Sequence, residues 1–162
     1  AQIGKALSLW GDAGWGELVK RGKYQDNYFD DALIQGIIDM IQRWQPQPMP
    51  TWVTCVSSLT RPELVPNFAQ RLADKLGLPF KPGIIKIRHN QAQKEMNNSY
   101  QQAHNLDGVF KINTDQINPG TVFLIDDMVD SRWTFTVITA LLRRAGSGEV
   151  FPVALALNSL SS

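Results

Sequence analysis

The segment VFLIDDMVDSRWT, residues 122–134, places four consecutive apolar residues immediately before two adjacent aspartates. A short apolar run of this kind is typical of a buried strand in an α/β protein. Asp126 and Asp127 stand at its end, which is the position from which parallel sheets bind their ligands. Because neighbouring carboxylates repel each other, a cation or hydroxyl donors should compensate them. The segment therefore predicts a ligand-binding site at these two residues.

The rest of the chain alternates segments of helix and strand character. Helical spacing of apolar residues predicts one helix from the N-cap Asp30 to Trp44, a second over Val65–Leu76 that ends at Gly77, and a third over 134–144. Strands are predicted at TWVTCV (51–56), GIIKIR (83–88), GVFKIN (108–113) and VFPVALAL (150–157). This order predicts a single α/β domain over residues 1–162, with a mainly parallel sheet flanked by helices.

Two segments lack a clear period. The glycine- and tryptophan-rich WGDAGWG, residues 10–16, is predicted to be a loop with aromatic anchors. The polar stretch that follows the strand at 83–88 is predicted to be a flap or an exposed helix.

The composition excludes several classes of function. Hydrophobic residues make up 43% and charged residues 19% of the 162 residues, as in soluble globular proteins. No apolar run approaches the ~20 residues of a membrane span, so no membrane partner is expected. One cysteine, Cys55, and two histidines predict a buried structural thiol, a reducing cytoplasm and no zinc cluster. A net charge of +1 gives no general attraction for nucleic acid.

The acidic pair has competing interpretations. It could cap a helix or face solvent, as is predicted for Asp30 and Asp31, which merely open a helix. A P-loop ATPase is excluded because G-x-x-x-x-G-K-[ST] is absent, and a D-x-D phospho-acceptor is absent too. The remaining interpretation uses the turn from Val129 to Thr134, where helix N-terminal amides and hydroxyls can hold a phosphate. Carboxylates for a diol followed by a phosphate turn fit a ribose 5-phosphate.

VFLIDDMVDSRWT resembles the diphosphoribosyl-binding signature of type I phosphoribosyltransferases, in which a hydrophobic strand delivers two acids and then a phosphate turn. The resemblance implies that Asp126 and Asp127 bind the ribose hydroxyls and that Asp130 exchanges a proton with a purine-like base. It implies a cradle for the 5-phosphate formed by Val129, Asp130, Ser131, Arg132, Trp133 and Thr134. It also implies Mg²⁺ that is held through the ligand, with no direct protein ligand.

The signature departs from the family at one point. Arg132 and Trp133 follow where the family usually has glycine, which allows close backbone approach to a phosphate. Arginine could instead donate charge-assisted hydrogen bonds, and the indole could stack on a base or fill the pocket. Both outcomes stay open.

Two further segments match the family's layout. SSLTRPEL resembles its pyrophosphate loop, which implies ligand contacts from Ser57, Ser58, Leu59, Thr60 and Arg61. The following flap, with the cations Lys86, Arg88 and Lys94, stands where the family has a mobile loop or hood over the site. Without the resemblance, an ordinary βα turn and a solvated basic loop would explain them.

A narrower resemblance covers nearly the whole chain. WGDAGWGELVKRGKY, TWVTCVSSLTRPELVPNFAQRLADKLGLPF and LIDDMVDSRWTFTVITALLRRAGSGEVFPVALAL are together similar to the C-terminal phosphoribosyltransferase-like region of some bacterial RecQ-family DNA helicases. The resemblance implies that the domain is the C-terminal part of a longer chain and meets DNA only through an attached, ATP-dependent helicase in DNA repair. A homodimer is a further expectation.

Three hypotheses remain open at this point. The domain could be a phosphoribosyltransferase that uses phosphoribosyl diphosphate. It could be a non-catalytic module that senses a phosphoribosyl compound or nucleotide. It could also be a scaffold for DNA or protein with an unused pocket, which five tryptophans and the basic flap alone favour.

Overall fold

The central element is a four-stranded parallel sheet. The computed structural model describes residues 5–9, 14–57, 59–86, 109–129 and 132–157. The strands are β1 (Lys5–Leu9), β2 (Trp52–Cys55), β5 (Val122–Val129) and β6 (Val150–Leu157), and they lie in the order β1-β6-β5-β2. All three pairings are parallel. The predicted α/β fold with a mainly parallel sheet is confirmed.

Helices cover both faces of this sheet. Helices α1 (Trp15–Arg21), α2 (Asp31–Trp44) and α3 (Leu64–Leu76) pack on one face, and α4 (Arg132–Arg144) packs on the other. Strand alternation divides β5 between them, because Phe123 and Ile125 belong to the first core while Val122 and Leu124 belong to the second. Side chains buried on both faces explain why this strand is a continuous apolar run.

The three predicted helices lie where their patterns place them. Asp30 is the N-cap of α2, and its carboxylate accepts a hydrogen bond from the Ala32 amide at 2.8 Å. Gly77 ends α3 in the left-handed conformation at φ 72°, which glycine adopts without strain. Helix α4 begins at Arg132, two residues before the predicted start. None of the described helices has the length and apolarity that a membrane span requires.

A small second sheet lies beside β2. Strands β3 (Ile84–Lys86) and β4 (Phe110–Ile112) form an antiparallel pair, and a 3₁₀ turn follows at Thr114–Gln116. An isolated bridge joins Val56 to Ile84, so this pair continues from the edge of the main sheet. The strands predicted at 83–88 and 108–113 are therefore present within their described parts, but they belong to this second sheet.

The N-terminal part of the chain differs from the prediction. Strand β1 was not predicted, although it pairs with β6 in the main sheet. Trp15 and Gly16, which were assigned to a loop, lie in α1 instead, so that part of the prediction is wrong. The helix continues as a π-helical turn over Gly22–Asp26 that ends at Asn27, a left-handed residue with φ 50°. Val19 of α1 is fully buried, so packing against the sheet outweighs the helix-weakening glycines.

Candidate functional site

The two aspartates lie inside β5 and beyond the end of β2. The ladder between β2 and β5 ends at the pair of Cys55 and Ile125, whereas β5 and β6 stay paired from Val122 to Val129. The strand is thus longer than the sequence pattern predicted, because the apolar β6 continues beside it. On the β2 side, no strand pairing covers Asp126 or Asp127 in the described residues. This position is the carboxyl-end edge of the sheet, where parallel α/β proteins bind ligands.

Asp126 lies in an environment that favours its protonated form. Its carboxylate accepts a hydrogen bond from the backbone amide of Asp127 at 2.8 Å. Burial raises the pKa of Asp126 well above its ordinary range, and the neighbouring charge and side chain of Asp127 raise it further. The Asp127 amide and the Lys23 ammonium act in the opposite direction without reversing the shift. The acidic pair therefore carries an electrostatic cost that a ligand can relieve.

Asp127 has a partner that the sequence did not suggest. The Lys23 ammonium lies 3.0 Å from Asp127 Oδ2, and the two side chains are only 18% and 13% exposed. The unbroken register of β5 and β6 places Asp127 on the same face as Phe123 and Ile125, the face that α1–α3 cover. Lys23 belongs to the π-helical turn after α1, so it reaches the acid from that side.

Gly22 positions this lysine through a close backbone approach. A Cβ atom at Gly22 would lie 2.7 Å from the Phe29 ring and 2.9 Å from the Tyr28 carbonyl oxygen, so only glycine fits. The Tyr28 amide donates a hydrogen bond back to the Gly22 carbonyl at 3.2 Å. The turn is therefore held in place by packing, and Lys23 extends from a fixed backbone.

An exposed aromatic ring connects this turn to the loop after β2. Tyr24 is 55% exposed, and the Arg61 guanidinium lies 5.0 Å from its ring centroid. The Lys23 ammonium lies 5.8 Å from the same centroid. Two cations and one aromatic ring thus border the carboxyl-end edge of the sheet. Arg61 was predicted as a residue of the pyrophosphate loop, whereas Lys23 and Tyr24 were not predicted.

Cys55 is a structural thiol beside this edge. It is fully buried in β2, as the sequence predicted, and forms no disulfide. Burial raises the pKa of its thiol to about 12, with a further rise from the charge of Asp126, although a hydrogen bond with Ser57 lowers it. A thiol of this kind is not a nucleophile at neutral pH.

The other predicted site residues are only partly described. Ser57 is half-buried, Leu59 and Thr60 are exposed, and Lys86 is half-buried at the end of β3. Val129 is the last residue of β5, Arg132 and Trp133 are the first two residues of α4, and Thr134 is half-buried in its first turn. Outside the described residues lie Ser58, Arg88, Lys94, Asp130 and Ser131. Residues 128–131 therefore separate the acidic pair from the start of α4.

The acidic edge offers few protein ligands to a divalent cation. In the described ranges, no three histidine, cysteine, aspartate or glutamate side chains come together as a metal site. The acidic pair offers two carboxylates, and one of them already holds the Lys23 ammonium. Mg²⁺ prefers several oxygen ligands and retains waters, so phosphate oxygens would have to supply most of its coordination.

The sheet order, the covering helices and the similar solved structures define a type I phosphoribosyltransferase-like fold. The chain is similar to a purine phosphoribosyltransferase from Pyrococcus horikoshii, with 20% identity and a TM-score of 0.50 over 83% of this chain and 79% of that one. At these identities the likenesses show the fold and not the activity.

Two adenine phosphoribosyltransferases are similar to the same extent. The Saccharomyces cerevisiae enzyme, complexed with adenine and an imino-altritol bisphosphate, is 17% identical with a TM-score of 0.51 over 80% of this chain and 70% of that one. The Trypanosoma brucei enzyme, in complex with AMP, pyrophosphate and ribose-5-phosphate, is 16% identical with a TM-score of 0.51 over 96% and 74%. No family model and no curated protein matches the sequence.

Proposed function

We propose that the domain binds phosphoribosyl diphosphate or a nucleotide at the carboxyl-end edge of β5, over Asp126 to Thr134. One observation carries the proposal. Two adjacent, largely buried aspartates lie beyond the end of β2, and α4 begins a few residues later. Such an arrangement costs free energy in the absence of hydroxyl donors or cations, and a ribose diol supplies hydroxyl donors.

The phosphate end of the ligand would lie at the start of α4. Backbone amides there have no intrahelical acceptor, and the helix dipole favours a negative charge. Thr134 is half-buried in the first turn and could add its hydroxyl. Val129, Asp130, Ser131, Arg132 and Trp133 complete the proposed cradle, as in the family resemblance. The 2,3-diol and the 5-phosphate lie on opposite sides of one sugar ring. This matches the short distance along the chain between the acidic pair and the start of α4.

Transfer of the phosphoribosyl group is the reaction that this site would support. A ring nitrogen of a purine-like base would attack C1 of the ribose, and the bond from C1 to the pyrophosphate oxygen would break with its electron pair leaving on pyrophosphate. Asp130 would accept the proton from the base. Mg²⁺ chelated by the diphosphate would neutralise charge on the leaving group. The protein's own share is positioning and electrostatic stabilisation of the ribosyl cation by Asp126 and Asp127.

The second half of the site is proposed around the loop after β2. Arg61 stacks on Tyr24 at 5.0 Å and is half-buried. With Ser57, Ser58, Leu59 and Thr60 it would form the pyrophosphate loop. Lys86 at the end of β3, together with Arg88 and Lys94, would belong to a closing flap. Guanidinium and ammonium groups suit phosphate oxygens because their hydrogen bonds are charge-assisted.

Two measurements test the proposal in sequence. Isothermal calorimetry of the domain with Mg²⁺ and phosphoribosyl diphosphate, ribose 5-phosphate or nucleoside monophosphates should detect binding of at least one of them. A pyrophosphate-release assay with a panel of purine and pyrimidine bases then tests turnover. Absence of binding by every ligand would overturn the proposal as a whole. Binding without pyrophosphate release would restrict it to a sensing role.

The sensing role has an observation in its favour. Arg132 and Trp133 begin α4 where the family usually has glycine. This departure from the family's phosphate turn favours a site that binds a ligand without turning it over. In this alternative the domain is an accessory module of a RecQ-like helicase in DNA repair, which rests on the sequence resemblance. Nucleotide-dependent change in the ATPase rate of the helicase-fused chain is the test, and an unchanged rate would contradict it.

Two minor proposals accompany the main one. Free, buried Cys55 agrees with a cytoplasmic protein. A homodimer is proposed on the resemblance alone, and sedimentation equilibrium at several concentrations would reveal it. A single monomeric species at all concentrations would exclude it.

A further inference from the structure

We propose that Lys23 is a specificity-determining residue. It is the counterion of Asp127, and a ribosyl ligand must replace it there in order to bind. The site therefore selects phosphorylated ribosyl ligands over neutral ones. The inference rests on the proposed function and deepens it. The geometry that carries it is the contact of 3.0 Å between the Lys23 ammonium and Asp127 Oδ2.

This ion pair differs from the other described ones in its burial. Lys23 and Asp127 are 18% and 13% exposed, whereas in the pair of Arg71 and Asp31 the acid is 80% exposed. Water therefore screens the Lys23 pair much less. Removing either partner from such a pair is costly because it leaves the other charge without compensation.

A ribose diol would compete with the ammonium for the same carboxylate. Its hydroxyl must donate to an Asp127 oxygen, and Oδ2 already accepts from Lys23. A neutral sugar that displaces the ammonium gives it no new anionic partner. A ligand that carries a diphosphate does supply one, so its binding free energy includes a term that the neutral sugar lacks.

The surroundings of Lys23 favour an anion at this place. Its ammonium and the Arg61 guanidinium lie 5.8 Å and 5.0 Å from the centroid of the same Tyr24 ring. Both cations therefore border one small region between the end of β5 and the loop after β2. A displaced Lys23 side chain need only rotate about its own bonds to remain there, because Gly22 holds its backbone against Phe29.

The test compares Lys23→Gln with the wild type for two probes, ribose and phosphoribosyl diphosphate with Mg²⁺, by NMR shift titration and calorimetry. We expect the ratio of the two affinities to fall by about tenfold or more in Lys23→Gln, as for the loss of one charge-assisted hydrogen bond. Lys20→Gln, an exposed lysine in α1, is the matched control and should keep the wild-type ratio.

Lys23→Arg guards against a folding defect, because it keeps the positive charge and should keep most of the selectivity. An equal change in the affinity for both probes, or no change, in a folded Lys23→Gln would overturn the inference while leaving the proposed function intact. A wild type that binds neither ribose nor phosphoribosyl diphosphate would overturn the inference, and the proposed function falls with it only if ribose 5-phosphate and nucleoside monophosphates also fail to bind.

Discussion

The chain contains two pairs of adjacent aspartates, at residues 30–31 and 126–127, and the fold places them in opposite environments. Asp30 caps α2 by accepting a hydrogen bond from the Ala32 amide. Asp31 is 80% exposed and bonds the Arg71 guanidinium. Each acid of the first pair thus has a structural partner and access to water, and neither needs a ligand to account for it.

The second pair is less exposed to water, and its two carboxylates repel each other. Asp126 and Asp127 are consecutive residues of a strand that extends past its neighbour β2, and the charge of Asp127 raises the pKa of Asp126. Within the part of the chain that the structure describes, the Lys23 ammonium forms its ion pair with Asp127. The comparison teaches that two identical dipeptides acquire different roles from their position. The helix start gives the first pair local partners, whereas the second pair lies in β5 beyond the end of β2, at the edge where parallel sheets bind ligands.

The largest expected difference between the pairs is in ligand binding. Asp126→Asn/Asp127→Asn should weaken binding of phosphoribosyl diphosphate by about tenfold or more, since the charge-assisted hydrogen bond to Asp127 alone contributes about 1.5–3 kcal/mol. Calorimetry measures the change. Asp30→Asn/Asp31→Asn is the matched control, because asparagine also caps helices well. Equal losses in both double variants would mean that the acids at residues 126–127 have no special role.

The second prediction concerns stability at Asp127. Asp127→Asn should lower the unfolding free energy by about 1–3 kcal/mol, because the largely buried Lys23 ammonium loses its charged partner. Urea denaturation followed by circular dichroism gives the value. A double variant that also carries Lys23→Gln should recover part of the loss, and a strictly additive double variant would show that the two residues do not interact.

The third prediction concerns Asp126, where replacement by asparagine should raise the unfolding free energy instead of lowering it. Its pKa is raised in the folded protein, so folding binds a proton and the unfolding free energy of the wild type falls as the pH rises from about 4 through that raised pKa. Asp126→Asn cannot ionise, so it removes this loss of unfolding free energy. Its side-chain oxygen still accepts a hydrogen bond from the Asp127 amide. The variant should melt several degrees above the wild type at neutral pH.

Below about pH 4 Asp126 is protonated in both states, so the advantage of Asp126→Asn should disappear there. Thermal melts across the pH range test this. A variant that melts at or below the wild-type temperature at neutral pH would show that the strand pair is not under electrostatic strain.

The smallest effect is expected in the first pair. Asp30→Ala removes the cap of α2 and should cost about 1 kcal/mol, or about 2–4 °C in melting temperature for a chain of this size. Asp30→Asn should restore the wild-type value. Ligand affinity should stay the same in both, and a large loss of affinity would connect this helix start to the site.

The sequence predicts the regular part of the fold because local patterns determine it. Apolar residues at helical spacing predict α2, α3 and α4. The continuous apolar run of β5 predicts a parallel strand that is buried on both faces. Strand β1 and helix α1 were not predicted. Gly14 and Gly16 weaken the local helix preference at the start of α1, and tertiary packing decides the conformation of both elements.

The site was predictable only where it is local in sequence. Asp126 and Asp127 stand out as acids that end an apolar run. Lys23 does not, because no pattern around it marks a partner a hundred residues away, and the contact exists only after α1 packs on the sheet. The extension of β5 through the acids was also invisible in the segment itself, because it depends on pairing with β6.

The most direct test is a carbon-detected NMR titration that follows the side-chain carboxyl resonances of the aspartates while phosphoribosyl diphosphate and Mg²⁺ are added. The account predicts that the resonances of Asp126 and Asp127 shift with ligand concentration while those of Asp30 and Asp31 stay constant. Ligand binding that leaves Asp126 and Asp127 unchanged, or that moves the helix pair instead, would contradict it.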